Sequence, residues 1–225
     1  MNIKTYIKKQ YIPNYLTILR IFFMVLVIIF ILVQIGNPIY YLPLNGYISS
    51  YKVGFRVNDI VAGSFFIIAS ITDFLDGYLA RKYNWVSDFG KLWDPLADKL
   101  LVDGSLICLS YNDLIPVWIT VILILRDFIV DAFRMNALRK KIVVSSKFLG
   151  KLKTVFEMIG LILIFFFFHF SYDDAYISNQ IIDWYLIQNL FMIIATIFSL
   201  CSMIEYIFLI SKLTKNKQNT TKEVN

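Results

Sequence analysis

Five aspartates are concentrated in one segment of an otherwise apolar chain, TDFLDGYLARKYNWVSDFGKLWDPLADKLL at 72–101. Asp73 and Asp76 are three residues apart, and Asp94 and Asp98 are four apart, so on helices each pair projects from one face. Four converging carboxylates repel one another strongly in a low dielectric, and divalent cations relieve that repulsion. Carboxylate oxygens favour Mg²⁺ or Mn²⁺ over zinc, and two such ions can clamp a phosphoryl group during transfer.

Small and basic residues accompany these carboxylates. Gly77 and Ala80 leave space for a ligand beside the helix, and Arg81 carries a guanidinium suited to a phosphate. For Asp94 a second interpretation is open, because an aspartate before Pro95 is typical of a helix N-cap followed by proline in the first turn. Asp88 is interpreted as a loop or capping residue. Asp73 and Asp76 interrupt an apolar run that starts at Ile60, and ionisable residues in such a position indicate function.

The composition predicts the elements that must position these residues. Of the 225 residues 58% are hydrophobic and only 17% are charged, which is typical of an integral membrane protein. We predict an all-α polytopic fold, a single domain over 1–225 with tails at about 1–13 and 212–225. Six transmembrane helices are expected, at Tyr15–Ile35, Phe55–Leu79, Pro95–Tyr111, Ile115–Leu138, Thr154–Phe170 and Trp184–Ser211. The connection 36–54 is predicted to be a loop.

The distribution of lysine and arginine predicts the orientation of the helices. Basic residues are frequent in both tails and in the connections after the second and fourth predicted spans, whereas only Lys52 and Arg56 lie on the opposite side. Both termini and the aspartate-rich connection are therefore predicted to be cytoplasmic. The net charge of +6 is then explained by anionic lipid headgroups, and no nucleic-acid partner is expected.

The spacing of eight residues resembles a known signature. Asp73, Asp76, Gly77, Ala80, Arg81, Gly90, Asp94 and Asp98 match the pattern D-x2-D-G-x2-A-R-x8-G-x3-D-x3-D. This is the pattern of the CDP-alcohol phosphotransferase family of membrane enzymes. The stretches IPNYLTILR at 12–20, FGKLWDPLADKLL at 89–101, RDFIVDAFR at 126–134 and GKLKT at 150–154 resemble the bacterial members whose acceptor is glycerol 3-phosphate.

The resemblance implies a role for each matching residue. Asp73, Asp76 and Asp94 would be metal ligands, with Asp98 near the second of two Mg²⁺ or Mn²⁺ ions and also acting as the general base. The CDP-diacylglycerol pocket would be formed by Gly77, Ala80 and Arg81, with Asn14 and Thr17 completing it. For Asn14 and Thr17, capping of the first helix is an equally open interpretation.

A second basic cluster is a candidate site for the acceptor. Arg126 and Arg134 lie in the fourth predicted span, and Lys151 and Lys153 lie in the following basic turn. Such a cluster suits the phosphate of glycerol 3-phosphate. Because Asp127 and Asp131 share the segment, an internal salt-bridge network is an alternative interpretation.

The resemblance implies transfer of a phosphatidyl group from CDP-diacylglycerol to the primary hydroxyl of glycerol 3-phosphate, giving phosphatidylglycerophosphate and CMP. Two other functions compete with this one. The acceptor could be another alcohol, such as inositol phosphate, serine or a phospholipid, although the basic cluster favours an anionic one. The carboxylates could instead belong to a divalent-cation transporter, but they cluster at one membrane edge and do not extend across the midplane. The resemblance further implies a homodimer. The expected location is the bacterial plasma membrane, with the active site on the cytoplasmic side of the bilayer, as the distribution of lysine and arginine predicts.

Overall fold

The computed structural model describes residues 12–33, 39–43, 51–83, 88–140, 148–167, 169–172 and 186–223. These residues are predominantly helical, as the apolar composition predicted. The long helices in the described ranges are α1 (Ile12–Leu32), α2 (Val57–Tyr83), α3 (Asp88–Tyr111), α4 (Val117–Arg139), α5 (Phe148–Phe167) and α6 (Leu190–Glu223).

Within the residues that the structure describes, three segments are long and apolar enough to cross a bilayer: Tyr15–Leu32 in α1, Val57–Leu75 in α2 and Leu190–Thr214 in α6. They coincide with the first, second and sixth predicted spans. The chain is therefore suited to a membrane, whereas six spans and cytoplasmic termini remain predictions.

A small antiparallel sheet was not expected from the sequence. Strands β1 (Ile39–Pro43) and β2 (Tyr51–Phe55) occupy the connection that was predicted to be a loop, and β3 (His169–Tyr172) pairs with β2. The prediction of an all-α chain was therefore wrong in this region. Its strands are only four or five residues long, and the first contains Pro43 at an edge, so neither a helical nor an alternating pattern is evident there.

Helix boundaries correct two capping interpretations. Helix α3 begins at Asp88, so Asp94 and Pro95 lie inside a helix and not at its start. Helix α1 begins at Ile12, which places Thr17 more than one turn inside it. Neither Asp94 nor Thr17 can therefore be an N-cap. Pro95 does not lie in the first turn of α3 but in its interior, where a proline removes one backbone hydrogen bond.

The chain divides into two compact units. In the first, Met1–Leu114 with Ile162–Ser178, helix α1 packs along both α2 and α3, while α2 and α3 contact each other over a much shorter length. Phe65 of α2 stacks between Phe23 and Phe30 of α1, and Asn112 after α3 donates a hydrogen bond to the carbonyl of Ile31. Helix α1 is thus the common support of the two helices that carry the aspartates.

The second unit comprises Ile115–Leu161 and Asn179–Asn225, and contains α4, most of α5 and α6. Val130 and Ala137 of α4 pack with Tyr206 and Ile210 of α6 in a buried cluster. Phe156 of α5 stacks on two phenylalanines of α6, Phe191 and Phe198.

Candidate functional site

The predicted metal ligands lie on two helices of the first unit. Asp73 and Asp76 are in α2, and Asp94 and Asp98 are in α3, so both pairs have the helical backbone that their spacing predicted. The side chains of Asp73 and Asp98 are partly buried. Among the described residues no group of three potential ligands is present, and the side chains of Asp76 and Asp94 lie outside that part of the structure.

Asp73 is held by an arginine that sequence reasoning did not single out. The guanidinium Nη2 of Arg20 in α1 lies 2.7 Å from Oδ1 of Asp73. Arg20 is fully buried, and Thr17, one turn earlier on the same face of α1, is also fully buried. A charged residue in the middle of an apolar helix was the available signal for Arg20, because such residues face a partner or a polar cavity.

These carboxylates fit hard divalent cations. A carboxylate has two oxygens with several acceptor positions, so the ion pair through Oδ1 of Asp73 is compatible with metal ligation by the same group. The donor set contains only oxygen, since neither histidine nor cysteine occurs in the segment 72–101. Mg²⁺ and Mn²⁺ prefer such ligands.

The predicted nucleotide-binding residues are described only in part. Thr17 lies on the buried face of α1 that also carries Arg20. The side chains of the others, Asn14, Gly77, Ala80 and Arg81, lie outside the described residues, although their backbone belongs to α1 and α2.

The second unit contains a cavity of about 250 Å³ that is lined by both polar and apolar groups. Arg126, Val130 and Arg134, spaced by four residues, present one face of α4 to it. Helix α5 contributes Gly150, Lys151 and Thr154, and helix α6 contributes Ser202 and Tyr206. The volume lies slightly below the range of roughly 300–1,000 Å³ that is usual for ligand pockets. Three cationic side chains in its wall suit a small phosphate ester.

Gly150 allows a close approach of α5 and α6 beside this cavity. A Cβ there would lie 3.3 Å from Oγ of Ser202, closer than most side chains approach one another. Helices α5 and α6 therefore come together at this point without a side chain between them.

Arg126 is fixed at the cavity by three hydrogen bonds. Its Nε donates to the carbonyl of Ser199 at 3.1 Å, its Nη1 to Oδ1 of Asp127 at 2.8 Å and its Nη2 to Oγ of Ser202 at 2.9 Å. Arg134 and Lys151 are exposed, and Arg134 has a long 3.9 Å ion pair with Asp131. The fixed guanidinium thus differs from the two exposed cations, which are able to reorient around a ligand.

Lys153 is placed differently from the other predicted acceptor residues. Its Nζ lies 2.8 Å from Oδ2 of Asp127 and 2.7 Å from Oε2 of Glu157, and its side chain is 5% exposed. It is not among the residues that line the cavity. The cavity and the salt-bridge network, two alternatives at the sequence level, are therefore both present.

Comparison with known proteins extends the local motif to almost the whole chain. A sequence model of the family described as CDP-alcohol phosphatidyltransferase matches residues 10–210. The CDP-diacylglycerol–glycerol-3-phosphate 3-phosphatidyltransferase of Mycoplasma pneumoniae is 38% identical over 219 residues, covering 96% of this chain and 94% of the relative.

Two further relatives carry the same name. The Mycoplasma genitalium protein is 36% identical over 198 residues, covering 88% of this chain and 83% of the relative. The Bacillus subtilis protein is 39% identical over 150 residues, covering 66% and 73%. Because the match includes both aspartate helices and the basic cavity, the chain belongs to the CDP-alcohol phosphatidyltransferase family.

Proposed function

We propose that this protein transfers a phosphatidyl group from CDP-diacylglycerol to the primary hydroxyl of glycerol 3-phosphate, giving phosphatidylglycerophosphate and CMP. The observation that carries this assignment is similarity along nearly the whole chain to relatives named for that reaction. It favours an enzyme over a divalent-cation transporter, and glycerol 3-phosphate over the other acceptor alcohols.

At the donor end, Asp73, Asp76, Asp94 and Asp98 hold two divalent ions, Mg²⁺ or Mn²⁺. When bound, these ions neutralise the pyrophosphate and the charge that develops on the departing CMP. Gly77 and Ala80 leave room for the nucleotide, Arg81 pairs with a phosphate, and Asn14 and Thr17 complete the pocket. The ion pair of Arg20 with Asp73 supports this assignment, because it fixes one ligand before substrate binds.

At the acceptor end, the cavity of the second unit binds the phosphate of glycerol 3-phosphate. Arg126, Arg134 and Lys151 line it and contact the phosphate oxygens, because guanidinium and ammonium groups form strong charge-assisted hydrogen bonds with phosphate. Lys153 belongs to the same basic cluster and contributes from behind the cavity wall. A neutral alcohol such as free inositol has no group to match these cations.

The chemical step needs one base. Asp98 takes the proton of the primary hydroxyl, and the hydroxyl oxygen forms a bond to the phosphorus that carries diacylglycerol. The bond from that phosphorus to the bridging oxygen breaks, and CMP leaves with the electron pair. Asp98 then releases the proton to solvent.

We further propose that the enzyme is a homodimer in the bacterial plasma membrane, with six spans, cytoplasmic termini and a cytoplasmic active site. The concentration of lysine and arginine in alternate connections supports this orientation. The family match across residues 10–210 supports one functional domain.

The direct test is release of CMP from CDP-diacylglycerol by the purified protein in mixed micelles containing Mg²⁺. Glycerol 3-phosphate, glycerol, inositol, inositol phosphate and serine are compared as acceptors. Glycerol 3-phosphate is expected to give the highest kcat/KM, with phosphatidylglycerophosphate as the lipid product. Equal activity with glycerol would contradict a site built for phosphate.

The acceptor cavity is tested with Arg134→Ala and Lys151→Ala. Each change removes one charged hydrogen bond and is expected to raise the KM for glycerol 3-phosphate by roughly tenfold to a hundredfold. The KM for CDP-diacylglycerol should not change. Lys212→Ala, an exposed lysine in α6, is the matched control. An unchanged acceptor KM in both variants would show that the phosphate binds elsewhere.

A further inference from the structure

Four ionised side chains form a continuous chain behind the acceptor cavity. Arg126 contacts Asp127, Asp127 contacts Lys153, and Lys153 contacts Glu157, with each pair separated by 2.7–2.8 Å. Lys153 and Glu157 are almost fully buried, and Arg126 and Asp127 are mostly buried. Two positive and two negative charges balance, as burial of ions in an apolar helix bundle requires.

Helix geometry separates the two lysines of α5. Residues two apart on an α-helix point in directions about 200° apart, since one turn contains 3.6 residues. Lys151 lines the cavity, so Lys153 is directed away from it, towards Asp127 and Glu157. Lys151 is therefore able to contact a phosphate in the cavity, whereas Lys153 is not.

Asp127 connects this lysine to the cavity. One of its oxygens accepts from Lys153 and the other accepts from Arg126, both at 2.8 Å. Arginine has five N–H donors, and three of those of Arg126 are directed at Ser199, Asp127 and Ser202. Two donors are left for a ligand in the cavity, and their direction is set by the three bonds that hold the guanidinium plane.

We infer that Asp127 and Lys153 are positioning residues of the acceptor site: Lys153 fixes the carboxylate of Asp127, and that carboxylate orients Arg126 towards the acceptor phosphate. Lys153 itself does not touch the phosphate. This inference rests on the proposed acceptor cavity and assigns to Lys153 a role through its neighbour.

The test is a double-mutant cycle on the purified full-length enzyme, with Asp127→Asn, Lys153→Met and the double variant. Asp127→Asn is expected to raise the KM for glycerol 3-phosphate about tenfold, because Arg126 loses one charged hydrogen bond, while kcat and the KM for CDP-diacylglycerol stay within about twofold. Asp127→Glu, which keeps the charge, should restore most of the affinity. The double variant should match Asp127→Asn within about twofold, because Lys153 acts only through Asp127.

Several outcomes overturn the inference while leaving the cavity in place. If Lys153→Met raises the acceptor KM by the same factor with and without Asp127→Asn, the effects are independent and Lys153 touches the phosphate. If Asp127→Asn lowers kcat and raises the KM for both substrates by the same factor, the role of Asp127 is only structural. The same conclusion follows if Asp127→Glu does not restore the KM for glycerol 3-phosphate. The exposed residues Asp113 and Lys212 provide matched controls, as Asp113→Asn and Lys212→Met.

An unstable variant, a failure of the proposed function and a failure of the positioning role give different results in this test. The double variant removes one anion and one cation, so the charge balance of the buried chain is kept and it remains informative if a single variant is unstable. If Arg134→Ala and Lys151→Ala leave the acceptor KM unchanged, the cavity assignment fails, and the positioning role fails with it. If those two variants raise KM but Asp127→Asn does not, only the positioning role is wrong.

Discussion

Arg20 and Asp73 form an ion pair of 2.7 Å between α1 and α2. The arginine side chain is fully buried, whereas 37% of the aspartate side chain is exposed. One oxygen of a proposed metal ligand is thereby fixed by a residue on a third helix, beyond the two that carry the aspartates. Helix α1 is thus more than an apolar segment, because it sets the position of a carboxylate in the proposed donor site.

Arg20→Met should impair the donor site. Asp73 would lose the group that orients it, so CMP release at a fixed low Mg²⁺ concentration is expected to fall at least about tenfold. A larger concentration of Mg²⁺ should be needed for half-maximal rate, and Arg20→Lys should be intermediate because it keeps the charge but not the planar fork. Arg139→Met, exposed at the end of α4, is the control. An unchanged Mg²⁺ dependence would remove Arg20 from the site.

Removal of divalent cations should abolish the reaction. Chelation is expected to stop CMP release, and added Mg²⁺ or Mn²⁺ should restore it, because oxygen-only ligands prefer these ions. Asp76→Asn and Asp94→Asn should each lower the rate and weaken Mg²⁺ binding, which titration calorimetry measures directly. Full activity in the chelated enzyme would argue against metal ligation by these residues.

Asp98→Asn should separate catalysis from binding. Loss of a general base typically lowers the rate by about 10²- to 10⁴-fold, so kcat should fall in that range. The KM for glycerol 3-phosphate should change little, since the cavity proposed to bind its phosphate is intact. Asp113→Asn serves as the control for an aspartate outside the site. A variant with nearly normal kcat would exclude Asp98 as the base.

Gly63→Ala should destabilise the first unit. An added Cβ would lie 2.7 Å from Cβ of Phe165 and 2.8 Å from Cε2 of Phe166, so the packing must shift. Overpacking costs about 1–3 kcal/mol, which exceeds the gain of up to about 1 kcal/mol in helix propensity. The midpoint of thermal unfolding in detergent should fall, while Ser64→Ala, an exposed neighbour, should have little effect. If Gly63→Ala had the same midpoint of unfolding as the unchanged protein, Phe165 and Phe166 would be able to move apart without strain.

The parts of the site that the sequence predicted are those with short-range spacing. Asp73 and Asp76 within α2, and Asp94 and Asp98 within α3, follow from helical periodicity alone. Arg20 could not be assigned a partner, because its contact with Asp73 depends on how two helices pack. The same limit applies to Lys153 and Asp127, which lie on different helices and meet only in the fold. The other partner of Lys153, Glu157, is four residues further along the same helix, so its position follows from helical spacing.

Boundary errors had a local cause. A proline is expected near the start of a helix, so Asp94 and Pro95 suggested a beginning that in fact lies at Asp88. In the connection 36–54, short strands with a register shift between Tyr40 and Leu42 leave no regular alternation to detect. Their pairing depends on a distant segment, which a local pattern does not reveal.

The small sheet also constrains the order in which the protein can be assembled. Strand β2 pairs with β1 nearby in sequence, but its other edge pairs with β3, where Gly54 meets His169 more than one hundred residues later. During synthesis the β1–β2 hairpin therefore has an open edge until four further helices, α2 to α5, have emerged from the ribosome. An unpaired strand edge can pair with the wrong segment or with another chain. The edge of β2 is therefore protected from mispairing only when β3 has been synthesised and has paired with it.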